Sequence, residues 1–455
     1  MNQESLSKQV GPPLPVSQAR HIGLLMELVF LSAPYFFLRL YGTDYQQGSS
    51  LSLVDIFLFC AGINLLFIAL KVVRGRYIRL RYVSVPLLVV GGLFVVVSLL
   101  SGLEGSIIYG ISISLETLLS GTVQYAFIMI FLPLLASYYV TIDKLKSTMR
   151  FIGLGYLFPM ILTIILTPES SPESMREAFF FAGRALGTYG NAVSFAAVLM
   201  IVLPHYALLF VTEKGFWRAI GLTGVNLTMI CLALTISFSG MLIFLCLLAG
   251  NILLAFVWRD HPLHTFKLKF INLAIFTTLF LSITAGIAIA FSPALQEVMM
   301  HRLFFLDQSS ETPLELENLG SADQRLYLID VALKLINDRD GGLLSGHGMR
   351  HTASIPAFSF YGPHQEVHLI YLLLWIEGGL ILLVLYLVFL FFLIRNVMKL
   401  ARISPTGAVA VGSAVVALTL FGMLNPHLYL RYFWIPILPA FVNWDGYLRH
   451  EADAS

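Results

Sequence analysis

The stretch VHLIYLLLWIEGGLILLVLYLVFLFFLI, residues 367–394, decides the fold. It exceeds the roughly 20 apolar residues that a helix needs to cross a bilayer, and its only charged or imidazole side chains are His368 and Glu377. A helix that is apolar on all its faces is buried in a large core or spans a membrane. The stretch therefore predicts a membrane-spanning helix.

The composition of the whole chain agrees with this prediction. Of the 455 residues, 58% are hydrophobic and 12% are charged, which is about half the charged fraction of a soluble domain. The formal net charge is +2, and no Lys/Arg block of the kind that binds nucleic acid occurs. Cys60, Cys231 and Cys246 fall in apolar runs and predict neither a disulfide nor a zinc cluster. The lipid bilayer is the expected partner, and nucleic acid is not.

Apolar runs recur along the chain and predict an all-α polytopic transmembrane helix bundle of about 12 spans. The predicted spans are 22–41, 53–73, 83–101, 121–141, 151–167, 191–212, 219–236, 239–257, 270–291, 367–394, 407–424 and 428–443. Cytoplasmic loops of membrane proteins are enriched in Lys and Arg. Such residues cluster after the even-numbered spans, at 74–81, 144–150, 214–218, 259–269 and 395–402. Both termini are therefore expected on the cytoplasmic side of a multi-pass inner (plasma) membrane protein.

Most of the remaining cations lie in two loops on the other side, about 168–190 and 293–366. In the longer loop, Ser321 and Gln324 form a capping box, and apolar residues recur at helical spacing at Leu326, Ile329, Leu333 and Ile336. This pattern predicts an amphipathic helix over about 322–338. The expected organisation is a cytoplasmic tail (1–21), spans 1–9 (22–292), an extracytoplasmic catalytic loop (293–366), spans 10–12 (367–443) and a second cytoplasmic tail (444–455).

The segment PHQEVHLIYLLLWIEGGL, residues 363–380, places ionisable side chains at a membrane boundary. Pro363 suits the first turn of a helix. One face of that helix would carry His364, His368, Leu372, Trp375 and Gly379. Glu377 would lie about 13 Å deeper than His368, on the opposite face, where an ionisable group is costly and usually has a partner. His368 would then sit where a general base can meet a lipid-linked substrate.

This segment resembles the signature of the O-antigen ligase/polymerase superfamily of polytopic membrane glycosyltransferases. The signature is a His, an aromatic residue and Leu, then Glu and Gly, which correspond to His368, Tyr371, Leu372, Glu377 and Gly379. Upstream, Arg325 and the stretch LLSGHGMRHT (343–352) resemble the family's Arg-bearing helix and Gly-x-Gly turn. The stretch GRALGTYGN (183–191) resembles its Arg–Gly–aromatic–Asn element.

The chain departs from the ligase pattern at three positions. Leu369 follows the key His where ligases have Asn, Ser or Gln, and Leu382 stands where they have Gly, Thr or Tyr. In the stretch TISFSG, Phe238 takes the place of an expected Arg. One phosphate-binding cation is therefore either absent or supplied by Arg184 or Arg350. These departures favour a polymerase over a ligase.

The resemblance implies a donor glycan linked to polyprenyl pyrophosphate and an acceptor that is another glycan or, for a ligase, a lipid A core sugar. Arg184, Arg325 and Arg350 would hold the pyrophosphate, because guanidinium forks bind phosphate oxygens bidentately. His368 would be the catalytic base that takes the proton of the acceptor hydroxyl. Further expected site residues are His347, His364 and Tyr371 for substrate contact, and Glu377 and Gly379 as structural parts of the motif.

Other interpretations stay open at this point. His364 and His368, four residues apart, could suggest a metal pair, but no third ligand is evident, so neither metal nor cofactor is expected. An interfacial His can also be a structural donor, and loop arginines can reach lipid headgroups. A secondary transporter or flippase would also have about 12 spans and could use Glu27, Asn64, Pro159 and Glu377 at mid-membrane. Because no half-to-half similarity is visible and charge lies in the external loops, the enzyme is favoured.

Overall fold

The structure, a computed structural model, describes residues 16–33, 39–41, 51–52, 56–64, 82–109, 115–166, 180–181, 184–189, 191–257, 321–337, 342–349, 367, 369–424 and 433–445. Nearly all of these residues are helical. Two short antiparallel strand pairs accompany the helices, Arg39–Tyr41 with Leu51–Ser52 and Phe180–Phe181 with Arg184–Ala185. The predicted all-α class is confirmed.

The labelled helices, in chain order, are α1 (Val16–Ser32), α2 (Val85–Tyr109), α3 (Leu115–Ala126), α4 (Leu132–Tyr139), α5 (Ile142–Ile165), α6 (Ala192–Thr212), α7 (Gly215–Thr235), α8 (Phe238–Val257), α9 (Ser321–Asn337), α10 (Gly342–Ser345), α11 (Ile370–Ile403) and α12 (Pro405–Gly422). Residues 56–64 are also helical. A π-helical turn, Phe127–Phe131, joins α3 to α4 just before Pro133, which has no N–H to continue the α-helical register. A 3₁₀ helix, Ile435–Phe441, follows α12.

Seven helical segments in the described part are long and apolar enough to cross a membrane: Val85–Ile107, Leu118–Tyr139, Lys144–Ile165, Ala192–Thr212, Gly215–Thr235, Ile370–Ile403 and Pro405–Gly422. The prediction of membrane-spanning helices is confirmed in this coarse form. α8 coincides with the predicted eighth span. The predicted ninth span and most of the second lie outside the described residues. The count of twelve stays a prediction.

The outward faces of the long helices are apolar. On α2 the exposed side chains recur every three or four residues, at Val85, Val89, Leu93, Val96, Leu100, Leu103 and Ile107. On α11 they are Ile381, Val384, Leu387, Phe391, Ile394 and Met398. Stripes of this kind would be a liability in water, whereas a hydrocarbon solvent accepts them. They support the assignment of these helices to a bilayer.

Glycines bring neighbouring helix backbones together. A Cβ at Gly155 of α5 would overlap the Phe30 carbonyl of α1, and one at Gly221 of α7 would overlap the Phe210 amide of α6. Apolar side chains gain little from leaving lipid for another helix. Close backbone approach through small residues is therefore a main source of helix association in membranes.

The first predicted span, 22–41, is wrong in its extent. α1 begins at Val16 and ends at Ser32, and Arg39–Tyr41 form a strand. Pro34 gives the physical reason, because proline disfavours the α conformation in the residue before it and cannot donate to a helical carbonyl.

The basic segment predicted as a turn before the fifth span is helical instead. α5 begins at Ile142, so Lys146 and Arg150 project from its first turns. Lys146 Nζ lies 2.8 Å from one carboxylate oxygen of Glu213, and Arg150 Nη2 lies 2.6 Å from the other. Glu213 directly follows α6, and its side chain is 5% exposed. These two ion pairs tie the start of α5 to the turn between α6 and α7.

We expect Glu213→Gln to lower the free energy of unfolding by about 1–2 kcal/mol, because the partly buried Arg150 loses its charge-assisted hydrogen bond to a buried carboxylate. Thermal unfolding of the purified protein in detergent measures the change. Asp330→Asn is the control, since Asp330 and Lys334 pair with side chains 58% and 68% exposed and such pairs contribute little. Equal unfolding temperatures for the two variants would contradict the role given to Glu213.

The twelfth predicted span, 428–443, is not an α-helix over its described residues. Residues 433–441 form 3₁₀ turns, and Pro436 and Pro439 explain this because neither can donate an α-helical hydrogen bond. All residues from 433 to 442 are buried. Non-helical backbone at membrane depth is tolerated where protein surrounds it, and this segment meets that condition.

Side chains from the surrounding elements satisfy carbonyls that the 3₁₀ segment leaves unbonded. Asn396 of α11 donates to the Ala440 carbonyl at 3.0 Å, and Trp444 Nε1 donates to the Pro439 carbonyl at 3.0 Å. Since a buried unbonded carbonyl is costly, these donors make the irregular segment a specific part of the bundle.

The basic turns that the structure describes, at 144–150, 214–218 and 395–402, gather at one end of the bundle, called the basic end below. Lys399 Nζ lies 2.5 Å from Asp445, and the Asn443 amide donates to the Tyr82 carbonyl just before α2. Leu145 of α5 packs close to Gly407 at the start of α12. Helices α2, α5, α7 and α12 therefore start at this end and run to the opposite end.

The amphipathic helix predicted over 322–338 is confirmed as α9, and its buried face agrees with the predicted one only in part, since Ile336 is buried and Ile329 packs against the same cluster. Leu328, Ala332 and Ile336 are buried, whereas Leu333 is 43% exposed. The buried residues are four apart, and they pack against Val367, Leu372 and Ile376. The neighbour that α9 contacts decides which side of it is covered, and the sequence does not specify that neighbour.

Candidate active site

α11 is broken at Gly379. Its backbone there has φ 67° and ψ −172°, a region that essentially only glycine occupies, with helix on both sides. The rings of Tyr371 and Tyr386 have centroids 5.8 Å apart, although fifteen residues of straight helix would separate them by about 22 Å along the axis. The chain therefore bends at Gly379. Residues 380–403, about 36 Å of helix, cross the membrane, and 370–378 form a separate outer segment.

This bend corrects the helical face predicted for the motif. α11 begins at Ile370, after Leu369 in extended conformation (φ −142°, ψ 104°), so no helix runs continuously from Pro363 to Gly379. The reason is tertiary packing, because the fully buried Val367 contacts the apolar side of α9. The expected alignment of His364 and His368 with Trp375 on one helical face is therefore wrong.

The Gly-His-Gly loop at residues 346–348 caps the end of the broken helix. The His347 amide donates to the Ile376 carbonyl at 2.6 Å, and the Gly348 amide donates to the Glu377 carbonyl at 2.9 Å. In an unbroken helix these carbonyls would accept from residues four positions further on. The loop amides take that place. Two stretches of the chain about thirty residues apart thus join through their backbones.

Glycines make this junction possible. Gly346 and Gly348 have φ of 72° and 108°, which disfavour any other residue. A Cβ at Gly346 would lie 2.5 Å from the Gly379 nitrogen, and a Cβ at Gly379 would overlap the Leu344 carbonyl. The loop and the helix break touch backbone to backbone, and any side chain there would separate them.

Glu377 lies at the centre of the junction with its side chain buried, 3% of the residue being exposed. The Ser101 hydroxyl of α2 donates to the Glu377 carbonyl, which ties a third element to the same point. Met349 packs near Gly102 of the same helix. Ser101 was not predicted as a site residue, although a hydroxyl inside an otherwise apolar run was a visible signal.

The outer segment of α11 is held from two sides. On one side α9 packs through Leu328, Ala332 and Ile336, and the Trp375 indole donates to the Leu343 carbonyl at 3.1 Å. On the other side the Tyr371 hydroxyl donates to the Thr419 carbonyl of α12 at 3.0 Å. In this structure the Tyr371 hydroxyl is therefore hydrogen-bonded to the backbone of a neighbouring helix.

A second cluster surrounds the connection between α7 and α8. Arg184 Nε donates to the Thr235 carbonyl at 3.0 Å. Ile236, the next residue, has left-handed backbone (φ 47°), unique among non-glycine residues in the described part and unusual for a β-branched side chain. The Ser237 hydroxyl accepts from the Gly240 amide at 3.2 Å. Arg184 therefore lies at the connection where Phe238 replaces the Arg of the family pattern.

Asn191 fixes the chain between Arg184 and α6. Its side-chain oxygen accepts from the amides of Val193 and Ser194, at 2.8 and 3.4 Å, and so caps the start of α6. Tyr189 stacks on Phe195 with ring centroids 5.6 Å apart. The GRALGTYGN stretch is thereby held against the outer ends of α6 and α7.

Both clusters lie at the end of the bundle opposite the basic end. Ser101 is sixteen residues along α2 from its start at the basic end, about 24 Å by helical rise, and Thr235 ends α7. Of the other predicted site residues, His364, His368 and Arg350 lie outside the described residues, as does the side chain of Arg325. In the described part no group of three His, Cys, Asp or Glu residues could hold a metal ion.

No family model matches the chain, and no curated protein sequence matches it.

Proposed function

We propose that this protein is a membrane glycosyltransferase that polymerises oligosaccharide units linked to polyprenyl pyrophosphate. The favoured product is an O-antigen or exopolysaccharide. The observation that carries the proposal is the capped break in α11, where the Gly-His-Gly loop (346–348) bonds to the Glu-Gly-Gly turn (377–379). These are two separate parts of the signature that the sequence shares with the O-antigen ligase/polymerase superfamily, and their contact is what a shared site requires.

The proposed chemistry is a single displacement at the anomeric carbon of the donor. His368 accepts the proton of an acceptor sugar hydroxyl, and the hydroxyl oxygen forms the new glycosidic bond. The bond from the anomeric carbon to the pyrophosphate oxygen breaks, and the lipid pyrophosphate leaves with the bonding electrons. Arg184, Arg325 and Arg350 stabilise the negative charge that develops on it. His347, His364 and Tyr371 contact the sugars.

The same proposal assigns the site to the extracytoplasmic face of the inner membrane, with both termini in the cytoplasm. Supporting this orientation, the basic turns in the described part of the chain lie at one end of the bundle and the two candidate clusters at the other. Nucleotide sugars and ATP are scarce outside the cytoplasm. A lipid-linked donor that carries its own leaving group suits such a site, and the mechanism uses no metal and no cofactor.

A transporter is the second candidate, because a broken membrane helix beside a buried carboxylate is also a feature of secondary transporters. Purified protein reconstituted in liposomes and supplied with a synthetic polyprenyl-pyrophosphate oligosaccharide distinguishes the two. The proposal expects a ladder of extended glycans on a gel. Donor that crosses the bilayer unchanged supports the transporter instead. Extension only when lipid A core is added identifies a ligase.

We expect Arg325→Lys to lower extension roughly tenfold to hundredfold although it keeps the charge. A lysine is a point charge and cannot bind pyrophosphate oxygens with the bidentate fork of arginine. Arg339→Lys is the matched control and should leave activity near that of the wild type. Initial rates at equal protein abundance in membranes provide the measurement. Equal rates for both variants would remove Arg325 from the site.

A further inference from the structure

Cations concentrate at the basic end where three helices meet. α5 and α7 begin there and α6 ends there, and their terminal turns carry Lys146, Arg150, Lys214 and Arg218. Glu213 and Asp143 are the acidic residues of these turns, and the side chain of Asp143 lies outside the described residues. The positive ends of the α5 and α7 dipoles and the negative end of the α6 dipole meet there. The positive charge of this surface comes from the basic side chains and the two positive helix ends, and it involves no residue of the candidate active site.

Within this group, the cations differ in what they contact. Glu213 uses both its oxygens on Lys146 and Arg150. Lys214 and Arg218 are exposed and have no acidic partner in the part of the chain that the structure describes. Lys214 directly precedes α7, in extended conformation (φ −125°, ψ 164°), and Arg218 lies on the first turn of the helix four residues further on. The Arg218 guanidinium carbon lies 5.1 Å from the centroid of the Phe210 ring, which holds it over the end of α6.

Aromatic side chains place the same turn at a membrane–water boundary. Phe216 is 65% exposed, beside the charged pair. Trp217 packs under the Arg150 guanidinium, with 5.1 Å from the guanidinium carbon to the ring centroid. Aromatic rings next to cations at the ends of membrane helices mark the headgroup layer. A ligand at Lys214 and Arg218 would therefore have an apolar neighbour in Phe216 as well as positive charge.

We propose that Lys214 and Arg218 bind the phosphate of an anionic phospholipid headgroup. The exposed Phe216 ring favours a lipid over a soluble phosphate, because only a lipid also supplies acyl chains for it to contact. Basic pockets between membrane helices recognise anionic headgroups through the same chemistry. The site is independent of the proposed glycosyltransferase activity and would exist in a transporter as well.

Binding of phosphatidylglycerol to the full-length protein tests this proposal. The purified, delipidated protein is placed in phosphatidylcholine nanodiscs with increasing phosphatidylglycerol, and native mass spectrometry measures the bound lipid. Lys214→Gln with Arg218→Gln should weaken phosphatidylglycerol binding roughly thirtyfold, since each cation near an anionic surface contributes about fivefold. Arg395→Gln with Arg402→Gln is the matched control, because it removes two exposed cations from the same end of the bundle. Its effect should be the smaller of the two, about fivefold, because Arg395 and Arg402 lie about 10 Å apart along α11 by helical rise and cannot both contact one phosphate.

Lys214→Arg with Arg218→Lys keeps both charges and should bind phosphatidylglycerol like the wild type, which separates charge loss from misfolding. If the glutamine variant and its control lose the same amount of phosphatidylglycerol binding, the loss reflects general surface charge. That result would contradict a specific site at Lys214 and Arg218. Displacement of the lipid by an equal concentration of soluble glycerol 3-phosphate would overturn the assignment to a lipid.

Discussion

His368→Ala should lower the rate of glycan extension by about 10²–10⁴, the usual contribution of a general base. His368→Gln should be almost as inactive, because an amide keeps some hydrogen bonding but cannot accept a proton. The role of His368 is assigned from the sequence resemblance. Only His368 precedes Tyr371, Glu377 and Gly379 at the spacing of the family signature. The residues on either side of it in the sequence, Val367 and Leu369, directly precede the outer segment held by α9 and α12.

His364→Ala is the matched control and should keep easily measured activity. It removes an imidazole only four residues away, so it tests position and not merely residue type. Chelators should not change the rate. If His364→Ala is inactive while His368→Gln is active, the general base is His364 and not His368. Loss of activity on chelation, with recovery on addition of zinc, would make the two histidines metal ligands instead.

The membrane class could be predicted from the sequence because it depends on composition and run length alone. Helices α2, α6, α7 and α12 lie close to their predicted positions for the same reason. The sequence does not distinguish basic residues in a loop from basic residues at the start of a helix. It predicts a loop at Lys146 and Arg150, whereas both belong to α5 and pair with Glu213.

The break in α11 was not predictable in the same way. The glycines Gly378 and Gly379 lie within a long apolar run. They are equally compatible with a continuous helix in which small residues allow close packing against a neighbouring helix. The break is stable because the amides of His347 and Gly348 satisfy the carbonyls it exposes, and those donors come from a distant part of the chain. The resemblance to the family predicts that both stretches are functional. The contact between them depends on tertiary packing, which the sequence does not show.

Gly379→Ala should be the most damaging single-methyl change at this junction. Its backbone conformation costs a non-glycine residue about 1–3 kcal/mol, and the added Cβ would overlap the Leu344 carbonyl. The loop amides would be displaced from the Ile376 and Glu377 carbonyls. We therefore expect destabilisation on the order of 3 kcal/mol or more, and loss of extension activity at temperatures where the wild type is folded.

Gly92→Ala is the matched control, because no described atom lies within 4 Å of a Cβ at Gly92, in the interior of α2. It should stabilise the protein by about 0.5–1 kcal/mol, since alanine is a better helix former than glycine. Thermal unfolding in detergent and amide hydrogen exchange at residues 346–348 measure both variants. Ser101→Ala removes only the hydroxyl that donates to the Glu377 carbonyl, and should speed exchange in the loop without unfolding the bundle. If Gly379→Ala matches Gly92→Ala in stability and leaves exchange at 346–348 unchanged, α11 is a continuous helix and the capped break is wrong.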